Sequence, residues 1–191
     1  MTDTETPSAP VARPPSWRPG EERPAIASMI RVDQAGEYGA TVIYAGQLAV
    51  LGDGHPAART IARMAAQEHR HLVRFNELVS DRDVRPTLLQ PLWSVAGHAL
   101  GAATALMSPS AAMACTAAVE TEIDKHYADQ LRCLRDEDED LSGTIEQFQA
   151  EEVEHRETAI AHGAESAFAY PILSAFIRAG CRAAISLSKR I

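Results

Sequence analysis

The chain has 191 residues, 46% of them hydrophobic, and a formal net charge of −8. This length suits one domain with a buried core, and the acidic balance excludes a general nucleic-acid-binding surface, which needs an excess of Lys and Arg. The three cysteines, at positions 115, 133 and 181, have neither close pairing nor zinc-like spacing. We therefore expect no disulfide framework, no cysteine metal site and a reducing compartment.

Residues 1–24 hold six of the eleven prolines and no long apolar run. This composition is typical of a disordered tail and not of a secretory signal. Asp3 and Glu5 also argue against a mitochondrial transit sequence. We predict a disordered Pro-rich tail over 1–24 and one domain over 25–191.

Four long segments with amphipathic helical periodicity follow, over about 25–51, 57–80, 111–134 and 141–163. The stretches between them carry helix-terminating signals, among them GDGHP at 52–56 and the acidic RDEDEDLSG at 135–143. Helices of this length predict an all-α fold built as a helical bundle.

Each of the four helices places one glutamate in its apolar stripe. In EEVEHRE (151–157), Glu152 lies at the centre of the stripe, whereas Glu151 falls on the flank and Glu154 on the solvent face. The equivalent residues of the other helices are Glu37, Glu68 and Glu120. A lone ionised carboxylate is costly in an apolar core, so four of them require a common compensation.

The pattern Glu…Glu-x-x-His occurs twice, with the two glutamates 31 positions apart in the first copy and 32 in the second. Each histidine lies one turn beyond its glutamate on the same face. The full set is Glu37, Glu68, His71, Glu120, Glu152 and His155. Four Glu and two His are the ligand set of a carboxylate-bridged dinuclear metal site in a ferritin-like bundle, and the donors suit iron or manganese. The alternative is a core of polar residues that satisfy one another.

Five stretches carry a family resemblance: RVDQAGEYGATVIYAGQLAVLG (31–52), RPTLLQPLW (85–93), AMACTAAVETEIDKHYADQL (112–131), EEVEH (151–155) and AGCRAAISLSKRI (179–191). They resemble the demethoxyubiquinone hydroxylase family of ubiquinone biosynthesis, from about Ile26 to the end of the chain. Other ferritin-like proteins share the six-residue pattern but not the surrounding sequence. One departure is the triplet Lys125-His126-Tyr127, where many members have two histidines before the tyrosine.

The resemblance implies that the six residues are di-iron ligands, with Glu68 and Glu152 as bridges. It implies a monooxygenase that uses O2 to hydroxylate the ring of a polyprenylated demethoxyubiquinol, with electrons from NADH or another external reductant. It also implies a partner protein that presents the lipid substrate. A homo-oligomer is compatible with the sequence. Two alternatives stay open: a ferritin-like iron oxidase or storage protein, and a non-enzymatic membrane-interaction protein.

Several residues near the stripe are supporting candidates. Tyr44 and Tyr127 lie two turns beyond Glu37 and Glu120. In one interpretation they are catalytic residues that hydrogen-bond a ligand or relay an electron or proton. In the other they only pack in the core. Asp33 lies one turn before Glu37 and Asp124 one turn after Glu120, and we predict that they accept the outer N–H of a ligand histidine. His126, His55 and His162 are expected in loops or at the surface.

Three glycines, Gly36, Gly39 and Gly46, interrupt the first helix, where each costs about 1 kcal/mol relative to Ala. Close packing against another helix explains them in one interpretation. A groove that admits a flat ring beside Glu37 explains them in the other.

Two further segments are apolar. Residues 92–107 number only sixteen, fewer than the about 20 that a membrane-spanning helix needs, and the C-terminal segment mixes apolar residues with Arg178, Arg182, Lys189 and Arg190. We expect two additional membrane-facing helices, with packing on the bundle as the alternative for each. The expected location is peripheral, on the cytoplasmic face of a bacterial inner membrane, or on the matrix side of the mitochondrial inner membrane.

Overall fold

The structure is a computed structural model that describes residues 25–134 and 137–190. This part of the chain contains no strand, and its α-helices are α1 (Ile26–Leu51), α2 (Pro56–Asp81), α3 (Gln90–Met107), α4 (Pro109–Leu134), α5 (Glu139–Ala161) and α6 (Tyr170–Ser188), with a short 3-10 turn at Ala164–Ser166. The prediction of an all-α fold is confirmed. The predicted tail over 1–24 lies outside the described residues.

The helix ends follow local chemistry. Pro56 occupies the first turn of α2, and the His55 side chain accepts a hydrogen bond from the backbone N–H of Ala57. Asp138 caps α5 in the same way, by accepting from the N–H of Leu141 at 3.0 Å. These caps satisfy backbone donors that the first helical turn leaves free. His55, expected in a loop, therefore ends the α1–α2 loop as a helix cap.

Helices α1, α2, α4 and α5 form two hairpins that pack together around the bundle core. Two apolar clusters fill this core: one includes Ile61, Met64 and Met113, and the other includes Phe75 and Leu141. On each of the four helices, the predicted glutamate lies between the segments that supply these two clusters. The polar centre is therefore enclosed by apolar packing toward both ends of the bundle.

Helix α3 packs on α1 through glycines on both helices. A Cβ atom added at Gly46 of α1 would lie 2.2 Å from the His98 carbonyl oxygen of α3, and one added at Gly101 of α3 would lie 2.0 Å from the Ile43 carbonyl oxygen of α1. A carbon cannot approach an oxygen so closely, so these positions exclude every side chain. Gly46 is thus explained by close helix packing, whereas an added Cβ at Gly39 meets nothing within 4 Å.

Helix α6 is held on α4 by a buried carboxylate. Glu122 is 5% exposed and accepts hydrogen bonds from Arg178 at 2.6 Å and Lys125 at 3.2 Å, and Arg182 lies 3.3 Å from it. Burial raises the pKa of Glu122, but these three cations outweigh it and keep the pKa below its usual value. Arg178 and Arg182, two of the four basic residues that the sequence analysis expected at a membrane surface, therefore hold α6 on the bundle.

The outer faces of α3 and α6 expose large apolar side chains, among them Val95, Leu106, Ile172 and Phe176, each more than 70% exposed. Within the described residues, none of the helices combines the length and apolar character needed to cross a membrane. The cysteines at 115, 133 and 181 are free, as the sequence predicted.

We expect Gly101→Ala to lower the free energy of unfolding by about 1–3 kcal/mol, because the new methyl group must separate the backbones of α1 and α3. Gly143→Ala is the control: it lies in a helix, nothing lies within 4 Å of an added Cβ, and the change should stabilise by up to about 1 kcal/mol. Urea unfolding of both metal-free variants measures the difference. Equal stabilisation of the two variants would contradict the close α1–α3 contact.

Candidate metal centre

The six residues predicted as ligands lie together in the middle of the bundle. The structure leaves each of them at most 1% exposed. They come from four helices: α1 and α4 supply one glutamate each, and α2 and α5 supply a Glu-x-x-His pair each. The set is Glu37, Glu68, His71, Glu120, Glu152 and His155.

These side chains form two overlapping groups. Within each group, one ligand atom per residue lies within 4.8 Å of the corresponding atoms of the others. One group contains Glu37, Glu68, His71 and Glu152, and the other contains Glu68, Glu120, Glu152 and His155. Because Glu68 and Glu152 belong to both groups, they stand where bridging carboxylates between two cations would stand.

The donor atoms fit a pair of divalent cations. Glu68 Oε1, His71 Nδ1, Glu120 Oε2 and Glu152 Oε1 are buried without a hydrogen-bond partner. His71 Nδ1 lies 3.3 Å from Glu37 Oε2 and 3.1 Å from Glu152 Oε1, yet it makes no hydrogen bond to either. Buried polar atoms rarely stay unpaired. Carboxylate oxygens and imidazole nitrogens are ligands that suit iron and manganese.

Burial perturbs the ionisation of the carboxylates. It raises the pKa of Glu37, Glu68 and Glu120 above the ordinary value, and the charge of Glu152 adds to the rise in each case. Burial also opposes ionisation of Glu152, but a hydrogen bond with His155 and the nearby imidazole of His71 outweigh it and lower the pKa of Glu152 to about 2. Without a cation, three of the four carboxyl groups therefore hold a proton more tightly than in water.

The two buried tyrosines bind the glutamates in a crossed arrangement. Tyr44 of α1 donates its hydroxyl proton to Glu120 Oε1 of α4 at 3.0 Å, and Tyr127 of α4 donates to Glu37 Oε1 of α1. Burial and the facing carboxylates raise the pKa of both hydroxyl groups well above the usual value. Each tyrosine thus remains protonated and orients a glutamate that belongs to only one group.

The prediction for Asp33 and Asp124 is wrong. Asp33 accepts from Gln130 at 2.7 Å and lies 3.2 Å from His126, and Asp124 accepts from Arg156 at 2.6 Å. Although each lies one turn from a ligand glutamate, these aspartates face a neighbouring helix of the bundle and not the outer nitrogen of a ligand histidine. His126, expected at the surface, has a side chain that is only 10% exposed beside Asp33.

The outer nitrogens of the ligand histidines meet Glu151 and Gln67 instead. His71 Nε2 lies 3.1 Å from Glu151 Oε2, and His155 Nε2 lies 3.2 Å from Gln67 Oε1. Glu151, predicted as a flank or solvent charge, is only 19% exposed. The internal repeat could have identified Gln67 and Glu151 as partners of the histidines, because each immediately precedes the ligand glutamate of a Glu-x-x-His pair.

An apolar cavity of about 270 Å³ lies among α1, α3, α4 and α6. Its wall includes Gly36 and Ala40, which lie one residue before and three after Glu37, and Val119 and Ile123, which hold the same positions relative to Glu120. Gly39 also lines it. The second interpretation of the glycines, a groove beside Glu37, therefore fits Gly36 and Gly39, while close packing explains Gly46.

We expect the metal-free protein to lose stability as the pH rises from about 5 to 8. The folded chain holds protons on Glu37, Glu68 and Glu120 that the unfolded chain releases above the ordinary pKa of 4.5, so the stabilisation is present at low pH and is lost as the pH rises. Metal-loaded protein should not show this loss, because its ligands are ionised. Urea midpoints with and without chelator test this, and identical pH slopes would contradict it.

Comparison with known proteins places the chain among relatives. The family model described as "Ubiquinone biosynthesis protein COQ7" matches residues 24–188. A 3-demethoxyubiquinol 3-hydroxylase of Rhodospirillum rubrum is 53% identical over 175 residues, which cover 91% of this chain and 82% of that protein. The NADPH-dependent 3-demethoxyubiquinone 3-hydroxylase, mitochondrial, of Homo sapiens is 51% identical over 173 residues, covering 88% of this chain and 79% of that protein. The chain belongs to the ubiquinone biosynthesis protein COQ7 family.

Proposed function

We propose that this chain is a 3-demethoxyubiquinol 3-hydroxylase, a monooxygenase of ubiquinone biosynthesis. Relatives with that activity in their names share about half of their residues with it over most of both chains. The observation that carries the proposal is the position of the apolar cavity, whose wall includes the neighbours of Glu37 and Glu120. An apolar ring site beside the candidate metal centre favours hydroxylation over iron storage.

The proposed cofactor is a pair of iron ions in a ferritin-like bundle that spans the domain 25–191. Glu37 and His71 would hold one ion and Glu120 and His155 the other, and Glu68 and Glu152, which belong to both groups, would be shared by the two. When bound, the pair would supply O2 activation, so that one oxygen atom enters the ring and the other leaves as water with two electrons and two protons supplied by an external reductant and solvent. NADH is the proposed source of electrons, and the sequence has no Gly-x-Gly-x-x-Gly motif of its own.

The chain's own residues orient the ligands and exclude water. The hydroxyl protons of Tyr44 and Tyr127 are directed at Glu120 and Glu37, and so they fix the two carboxylates whose sequence neighbours line the cavity. These two hydroxyl groups are the proposed supporting catalytic groups, since their hydrogen bonds hold the two carboxylates in place as charge at the centre changes. The apolar wall keeps the ring dry, which strengthens these interactions.

The cavity suits the head of a lipid quinol. At about 270 Å³ it is slightly smaller than the about 300–1,000 Å³ of ordinary ligand pockets, so it accommodates the ring and not a long prenyl tail. Phe176 and Trp93 bring α6 and α3 to its wall, and the outer faces of the same helices expose apolar side chains. We propose that these faces rest on a membrane, from which the tail enters.

This arrangement makes the protein peripheral to a membrane, on the cytoplasmic face of a bacterial inner membrane or on the matrix side of the mitochondrial one. Exposed apolar side chains such as Val95 and Ile172 insert among lipids, and Lys189 and Arg190 at the end of α6 face anionic headgroups. The same apolar surface is where a lipid-presenting partner protein would dock.

We expect Glu152→Ala to reduce bound iron from two ions per chain to one or none and to lower turnover of a short-tailed demethoxyubiquinol by about 100-fold or more. The reason is that loss of a bridging ligand affects both ions, and loss of mere outer-shell partners already costs about 10–100-fold. Metal analysis and product quantification measure the two effects.

Glu154→Ala is the matched control, because Glu154 lies in the same charge run but is exposed. It should keep both its iron and its turnover. Full turnover by the Glu152→Ala variant without iron would contradict the proposed function.

We expect Gly39→Leu to raise KM for the demethoxyubiquinol by about tenfold or more, corresponding to about 1.4 kcal/mol of lost binding. An added side chain at this position meets nothing within 4 Å and therefore projects into open space at the cavity without breaking the bundle. Steady-state kinetics with a short-tailed quinol measures the change, and iron content should stay at the wild-type level.

Gly143→Leu is the control for a leucine at a helical glycine, since Gly143 is exposed on α5. It should leave KM unchanged. An unchanged KM in Gly39→Leu as well would exclude this cavity as the ring site.

A further inference from the structure

The internal repeat extends beyond the ligands, with one asymmetry. In each Glu-x-x-His pair, one residue immediately precedes the glutamate. Its side chain contacts the histidine of the other pair, on the neighbouring helix. Gln67 of α2 meets His155 of α5 at 3.2 Å, and Glu151 of α5 meets His71 of α2 at 3.1 Å. The two contacts are geometrically equivalent, but one outer partner is a neutral amide and the other is a carboxylate.

A hydrogen bond between the two partners fixes their orientation. Gln67 Nε2 donates to Glu151 Oε2 at 3.3 Å. Because an ionised carboxylate only accepts, the amide must direct its nitrogen at Glu151 and its oxygen at His155. Both histidines then donate from Nε2, and Nδ1 is the nitrogen that would bind a cation. His155 Nδ1 lies 2.9 Å from Glu68 Oε1, so it is directed at the shared glutamates.

The negative charge of Glu151 is well supported. Besides His71 and Gln67, it accepts from Gln147 at 3.2 Å and from Arg70 at 3.2 Å. The Arg70 side chain is 62% exposed, so solvent screens its charge, whereas His71 is buried. A carboxylate that accepts the outer N–H of an imidazole makes the inner nitrogen a stronger metal ligand than an amide does.

We propose that the two halves of the centre are unequal and that Glu151 and Gln67 make them so. We call the half with Glu37 and His71 the strong half and the half with Glu120 and His155 the weak half. The strong half binds a divalent cation more tightly than the weak half, and the first cation binds there. The inference rests on the proposed dinuclear site. Gln67 and Glu151 are positioning residues that act through the histidines.

The test measures binding of Co²⁺ to metal-free protein by calorimetry. Mutual repulsion of two cations weakens the second step even between identical sites, so variants that retain one half are compared. We expect Glu120→Ala, which keeps the strong half, to bind one Co²⁺ about 10–100 times more tightly than Glu37→Ala, which keeps the weak half. Circular dichroism of each variant checks that the bundle is folded.

The decisive variant exchanges the two partners. The double substitution Gln67→Glu with Glu151→Gln preserves the net charge and keeps one carboxylate and one amide in contact, but moves the carboxylate to His155. In this background the order of the affinities of Glu120→Ala and Glu37→Ala should reverse. Glu154→Gln, at an exposed position of the same run, should leave the order unchanged.

Equal affinities of the two one-half variants, or an order that survives the exchange, would overturn the inference while leaving the dinuclear site intact. Failure of the otherwise unsubstituted protein to bind two Co²⁺ ions would instead refute the proposed function on which the inference rests. A reversal of the order supports both.

Discussion

The burial of four carboxylates at the centre of a helical bundle is the constraint on which the rest of this structure depends. Glu37, Glu68, Glu120 and Glu152 are almost completely shielded from solvent, where isolated charges are strongly disfavoured. Three features compensate for this burial. The pKa values of Glu37, Glu68 and Glu120 are raised, tyrosine and histidine side chains hydrogen-bond the carboxylates, and the geometry fits two cations. Apolar clusters toward both ends of the bundle complete the enclosure.

Crossed contacts between the two halves of the repeat organise the centre. Tyr44 and Tyr127 each orient the glutamate of the opposite half, and Gln67 and Glu151 each meet the opposite histidine. Neither hairpin can therefore build the site alone. Assembly of the bundle and assembly of the candidate metal centre are therefore coupled. Among these crossed partners, the principal chemical difference is that Gln67 is an amide and Glu151 is a carboxylate.

The remaining helices, α3 and α6, form walls of the apolar cavity. Close glycine contacts bring α3 onto α1, and the buried Glu122 holds α6 onto α4 through Arg178 and Arg182. The space left between α3 and α6 is the apolar cavity, whose wall includes the sequence neighbours of Glu37 and Glu120. The features that attach α3 and α6 to the bundle thus also form the walls of the cavity, and they leave large apolar side chains exposed on the outer faces of both helices.

The sequence by itself determined the helices and the six central residues, because helical periodicity reports which side chains share a buried stripe, and a glutamate in such a stripe is conspicuous. It did not determine the partners of those residues. Asp33 and Asp124 were close in angle to the stripe but face neighbouring helices, whereas Glu151, on the flank, reaches His71 of another helix. Periodicity describes one helix at a time, and only packing decides which flank meets which neighbour, how Gly46 differs from Gly39, and where a cavity remains.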